Sequence, residues 1–261
     1  MPRFAANLSM MFTEWAFLDR FKAARDNGFD AVEFLFPYDH PPEAVGKALK
    51  DNQLTQALFN CPPGDWANGE RGLAVFPERR AEFEASIGKA LVYADATGVK
   101  RLHLMAGIAK PGDPVAKAAY ESAILFACDR AAPKGLDIVI EPINARNVPG
   151  FFLNDFDVAA EIVTRLARSN LKLQFDIYHR QIIHGDVIRG LEAMMPIVGH
   201  VQTASVPERN EPGTGELDDA RIFATLDRLG YAGFVGCEYN PKGKTVDGLG
   251  WLKTMRQEKP S

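Results

Sequence analysis

The sequence predicts a single-domain α/β fold, a (β/α)8 TIM barrel, and three observations carry that prediction. Eight short β-rich runs alternate with longer segments of helical periodicity from one end of the chain to the other. Glycines stand where helices stop and strands begin. The length of 261 residues matches one such barrel, typically roughly 250 residues.

The strands are expected at residues 3–9, 31–36, 54–60, 101–105, 137–143, 171–177, 199–204 and 234–239. Apolar residues spaced for one helix face lie between them: Phe17, Phe21 and Ala24; Phe83, Ile87, Leu91 and Ala94; Val158, Ile162, Val163 and Leu166; Ile222, Leu226 and Leu229. Gly28, Gly98, Gly135 and Gly230 read as helix stops, and Asp155 and Asp218 as N-caps or first-turn acids. Strand, helix, glycine, strand is the grammar of a parallel sheet wrapped by helices. Eight repeats favour a closed barrel over an open sheet. An open sheet would more often carry a glycine-rich phosphate loop after its first strand, whereas residues 10–15 contain no glycine. No linker or low-complexity tract divides the chain, so one domain is expected over 1–256, with 257–261 as a C-terminal tail. The long loops 62–76, 144–154 and 206–217 all follow strands, which in a barrel places them on the catalytic face.

The composition, 46% hydrophobic and 25% charged, is that of an ordinary soluble globular protein. A net charge of −4 offers no basic face, so nucleic acid is not an expected partner. No apolar run approaches the ~20 residues of a membrane span, so no membrane partner is expected either. The N-terminal segment turns polar too soon for a signal peptide. Cys61, Cys128 and Cys237 are odd in number and lack CxxC spacing, which disfavours a disulfide framework or a zinc site and fits a reducing cytoplasm. The oligomeric state stays open, a homo-oligomer being one option.

Four successive late strands each end in an oxygen-bearing side chain: Glu141, Asp176, Gln202 and Glu238. One acid at the end of an apolar strand can find a structural cation. Three converging at one rim would repel and raise each other's pKa. A divalent cation resolves the repulsion, and carboxylate and amide oxygens without thiolates suit Mg²⁺ or Mn²⁺. Strand alternation puts Val139, Gln174, His200 and Gly236 on the same inward side one layer deeper. Gln174 and His200 there either orient the ligands above or belong to the core. Glu33, near the end of the second strand, reads as a candidate for pairing with a neighbouring Arg or Lys. His184 is expected at the start of a helix and His40 in a turn. Trp66 is either part of a lid or a buried loop anchor.

The segments Glu141-Pro142-Ile143-Asn144, Asp176-Ile177-Tyr178-His179, His200-Val201-Gln202, residues 208–216, Gly236-Cys237-Glu238-Tyr239-Asn240-Pro241 and residues 102–107 resemble the hydroxypyruvate isomerase family. The likeness runs almost end to end. The wider group is the xylose-isomerase-like barrels, which include ketose epimerases and apurinic endonucleases. The resemblance implies a metal held by Glu141, Asp176, Gln202 and Glu238, with Glu141 and Glu238 doubling as the proton-transfer pair and His179 touching a substrate oxygen. Sugar epimerases of that group usually carry His where this chain has Gln202, which favours the hydroxypyruvate branch. Endonucleases of the group need several zinc ions and more histidines than the five present here.

The expected reaction interconverts hydroxypyruvate and tartronate semialdehyde (2-hydroxy-3-oxopropanoate) through an enediolate. The substrate is thus a small hydroxy-keto acid. A metal that chelates carbonyl and hydroxyl oxygens acidifies the carbon between them, and a carboxylate moves the proton. Arg209 is the first candidate for the substrate carboxylate, Arg71 a weaker one, and His103 a candidate for substrate contact. The alternatives are a 2-oxo-tetronate isomerase of the same family, a keto-sugar epimerase, and a sugar-acid-binding barrel without turnover.

Overall fold

A computed structural model describes residues 2–257. Eight strands run β1 (Arg3–Asn7), β2 (Ala31–Phe34), β3 (Thr55–Asn60), β4 (Arg101–His103), β5 (Asp137–Ile140), β6 (Leu171–Asp176), β7 (Val198–Thr203) and β8 (Phe234–Cys237). All pair in parallel and in sequence order, and β1 also pairs with β8, so the sheet closes into a barrel. The helices on its outside are α1 (Arg20–Asp26), α2 (Pro42–Asp51), α3 (Arg80–Thr97), α4 (Pro114–Ala131), α5 (Phe156–Leu166), α6 (Ile177–Ile183), α7 (Val187–Met194), α8 (Asp219–Arg228) and α9 (Gly250–Gln257). Of the tail expected at 257–261, Gln257 closes α9 and residues 258–261 lie outside the described residues. Among the described residues no helix is long and apolar enough to cross a membrane.

The strand residues are nearly all buried, because the barrel and its helices cover both faces. Outward residues such as Val32, Leu102, Ile138 and Val235 join the helix faces in one continuous core. A smaller cluster of Ala5, Ala31 and Ala57 is separate from it. Two residues further along β1 and β2, and therefore on the same face, stand Asn7 and Glu33, which are register partners. The four predicted glycine stops all have positive φ, from 63° at Gly135 to 88° at Gly28. Asp155 and Asp218 cap α5 and α8 as expected, Asp155 accepting from the N–H groups of Asp157 and Val158 and Asp218 from that of Arg221.

Several strands stop earlier than the sequence suggested. The strand expected over 137–143 ends at Ile140, just before Pro142, which has no N–H for the ladder. The one expected to reach residue 239 ends at Cys237, where the Glu238 N–H turns to the carbonyls of Thr203 and Gly236. Glu141 and Glu238 are therefore the first residues beyond their strands, where the backbone turns into the mouth. Val158 was expected on the core stripe of α5 but is 49% exposed. The stripe starts instead at Phe156 and runs through Ala159, Ile162 and Val163, with Val158 to one side. His184 does not start a helix: it follows the last turn of α6 as its C-cap.

The loops over the mouth hold one another. Val75 donates its N–H to the Ala106 carbonyl, and Ile108 forms an antiparallel bridge with Phe151. The first of these contacts requires Gly72: a Cβ there would lie 2.4 Å from the Met105 carbonyl oxygen.

Candidate active site

The barrel brings Glu141, Asp176, His179 and Glu238 together: each offers one donor atom, and these atoms lie within 4.8 Å of one another. Their placement follows from local structure. Glu141 follows β5 and Glu238 follows β8. Asp176 is both the last residue of β6 and the N-cap of α6, accepting from the N–H groups of Tyr178 at 2.7 Å and His179 at 3.3 Å. The same immediate strand-to-helix passage puts His179 on the first turn of α6, over Asp176.

His179 has a defined role in hydrogen bonding. The Asn144 N–H points at its Nδ1 at 3.2 Å, so Nδ1 is the acceptor. The neutral ring then carries its proton on Nε2, which faces Asp176 Oδ2 at 3.7 Å and Glu141 Oε1 at 3.9 Å. Burial, aided by Arg209, depresses its pKa well below the ordinary histidine value and keeps it neutral. An Nε2 that bears hydrogen donates to an oxygen and does not bind a metal.

The three carboxyls are under strong electrostatic pressure. Burial, then the proximity of Glu238 and Asp176, lifts Glu141 well above the usual carboxylate range. Burial also raises Asp176, against the opposing pull of Arg209 and of the α6 N–H groups. Glu238 is pushed up to about 8 by burial, with Arg209 acting in the other direction. Glu141 Oε1 is buried without a hydrogen-bond partner. Converging hard oxygens, one of them orphaned, fit a divalent cation such as Mg²⁺ or Mn²⁺.

Arg209 enters from the loop after β7. Its guanidinium pairs with Glu238 Oε2, lies 3.5 Å from Asp176 Oδ2 and sits over the Tyr178 ring at 4.9 Å. Burial works against its charge, but Glu238, Asp176 and Glu141 more than offset that. His103 is buried beside Glu141, its Nδ1 3.6 Å from Oε2 and its Nε2 without a partner. Arg71 instead stacks on the exposed Trp66 at 3.7 Å, and Trp66 packs against Phe36.

Gln202 sits in a buried network below the carboxyls. Its Oε1 accepts from Gln174 Nε2 at 2.6 Å, and its Nε2 donates to Glu33 Oε1 at 2.8 Å. The pairing of Glu33 with Arg or Lys is overturned: its partners are Asn7, His200 and Gln202. Sequence reasoning had no view of Asn7. The available signal was its inward position at the end of β1, which an Asn would not occupy without a partner.

The chain belongs to the xylose isomerase-like TIM barrel family, whose model matches residues 21–255. Its relatives there include proteins named as isomerases of small acids. It is 52% identical to a 2-oxo-tetronate isomerase of Cupriavidus necator, over 97% of this chain and 98% of that one. It is 39% identical to the hydroxypyruvate isomerase of Escherichia coli, over 98% of this chain and 100% of that one. A crystal structure titled AP endonuclease, family 2, from Brucella melitensis superimposes with a TM-score of 0.95 at 47% identity, covering 97% of this chain and 99% of the other.

Proposed function

We propose that the protein is an isomerase of short 2-oxo acids bearing a hydroxyl on the neighbouring carbon, an aldose–ketose isomerase when the acid is hydroxypyruvate. The observation that carries this reading is the group of Glu141, Asp176, His179 and Glu238, converging within 4.8 Å beside the Arg209 cation. Carboxylates set to exchange a carbon-bound proton, a neutral histidine donor and a guanidinium are what such a substrate requires.

In the forward direction one carboxylate of the Glu141/Glu238 pair takes the proton from the hydroxyl-bearing carbon. The electrons become the enediolate, and the proton is delivered to the former carbonyl carbon. The hydroxyl proton passes to the old carbonyl oxygen, so that oxygen ends as a hydroxyl and the old hydroxyl oxygen as a carbonyl. His179 Nε2–H donates to a substrate oxygen. Arg209 binds the substrate carboxylate, and neutral His103 offers its unpartnered Nε2. A divalent cation held by Glu141, Asp176, Glu238 and the Gln202 oxygen would supply Lewis-acid stabilisation of the developing negative charge.

Two substrates fit this chemistry: hydroxypyruvate, giving 2-hydroxy-3-oxopropanoate, and 2-oxo-tetronate, one carbon longer. The 52% identity to the Cupriavidus protein supports ranking the four-carbon acid first. Proton NMR in D₂O, with each acid in turn and with or without chelator, reports exchange, product and metal need together. Glu141→Gln and Glu238→Gln should each lower turnover by at least about 100-fold, the usual contribution of a general acid or base. Retention of near-normal turnover by both variants would remove the proton-transfer assignment. The name of the Brucella structure raises a nuclease reading, and cleavage of an abasic duplex by the purified protein would favour it. Three carboxylates and a histidine donor offer little to the several zinc ions that reading needs.

A further inference from the structure

We propose that Glu33 is a positioning residue that sets the direction of a buried amide chain, Glu33–Gln202–Gln174, and so fixes which way the Gln202 side-chain oxygen points. The proposal rests on the isomerase reading for its kinetic readout but not for its spectroscopic one.

Glu33 is fully buried on β2, far in sequence from the strands it serves. Its two oxygens receive Asn7 Nδ2 at 3.0 Å, Gln202 Nε2 at 2.8 Å and His200 Nε2 at 2.7 Å. The amide nitrogens of Asn7 and Gln202 can only donate, so Glu33 Oε1 must accept from both. Space for it is left on β8, on the far side of β1: a Cβ on Gly236 would lie 2.2 Å from Glu33 Oε2.

An amide side chain can face either way, and its neighbours decide which. An acceptor at Glu33 forces Gln202 to turn its NH₂ inward. The Gln202 oxygen is then presented to Gln174, 2.6 Å away, and that oxygen can only accept. Gln174 must therefore turn its own NH₂ toward Gln202. The orientation leaves Gln174 Oε1 buried and unpartnered. Local hydrogen bonding alone would not choose that state, so the direction is imposed from the Glu33 end.

The kinetic test uses Glu33→Leu, which removes the acceptor, and Glu33→Gln, which keeps an oxygen facing Asn7 and Gln202 while His200 changes tautomer. In Glu33→Leu, kcat should fall at least about tenfold, the size of one charge-assisted hydrogen bond, with KM little changed. Glu33→Gln should recover most of the loss. Gln174→Met cuts the chain one link later and gives a second route should Glu33→Leu fail to fold. The double variant should cost no more than the larger single effect, because both act through one chain. The spectroscopic test follows the side-chain NH₂ signals of Gln174 and Gln202 in ¹⁵N-labelled protein without substrate. Both should be slowly exchanging in the wild type and in Glu33→Gln, and should lose protection in Glu33→Leu. Wild-type kcat in folded Glu33→Leu, additive costs in the double variant, or amide protection unchanged in Glu33→Leu would each overturn the proposal. A protein inactive on every acid but showing the amide pattern would sink the isomerase reading and leave this one standing.

Discussion

His103 gives the sharpest physical test of the site. It is almost wholly buried, and burial, aided by His200, holds its pKa down to about 3 against an ordinary 6.5. Glu141 Oε2 stands 3.6 Å from its Nδ1, and the net shift is still downward. In the unfolded chain His103 takes up a proton below about pH 6.5, while the folded protein does not. Its contribution to stability is therefore complete above that pH and is lost as pH falls toward 3. At about 1.4 kcal/mol per pH unit, the loss between pH 6.5 and 4.5 is roughly 3 kcal/mol. Urea unfolding of the wild type and His103→Asn, in chelator at pH 7.5 and 4.5, isolates the term, since Asn does not titrate. The carboxyls of Glu141, Asp176 and Glu238 shift the other way but are present in both proteins and largely cancel. The stability gap between the two should move in favour of the variant by about 2–3 kcal/mol on acidification. A gap that stays constant within about 0.5 kcal/mol would refute a neutral His103 and its part in substrate contact.

Arg209→Ala should raise KM by about 10–100-fold, the loss of a charged hydrogen bond to the substrate carboxylate. The same change should tighten Mn²⁺ binding measured by calorimetry, because the guanidinium no longer competes for Glu238 and Asp176. An unchanged KM removes Arg209 from the substrate. Gly236→Ala should cost about 1–3 kcal/mol in urea unfolding, because its Cβ is driven into the Glu33 carboxylate. Wild-type stability would show that no such close approach exists. Asp155→Ala should cost about 1 kcal/mol by removing the α5 cap and leave kcat as it was. A lowered kcat would show that α5 is coupled to the mouth.

The acidic rim was legible in sequence because it obeys local rules. An acid closing an apolar run stands at a strand end, and in a barrel all strand ends face one mouth. Glu141, Asp176 and Glu238 needed nothing more to be grouped. Val158 was misplaced because its i, i+4 spacing to Ile162 marks the edge of a helix face as readily as its centre, and His184 because a periodic pattern leaves helix ends loose by a residue or two.

The partners of Glu33 and Arg209 were not legible, and the reason is distance along the chain. Glu33 meets His200 across 167 positions, and Arg209 meets Asp176 across 33. The amino-acid order by itself determined the eight strands, their common direction and the acids at their ends, since periodicity, glycine stops and strand alternation are short-range. Only the closed barrel decided which buried donor faces which acceptor, and hence how Gln202 and Gln174 point and where the Arg209 charge rests. Hydrogen bonds and ion pairs depend on ångström-scale approach between strands that the chain brings together only when the sheet closes.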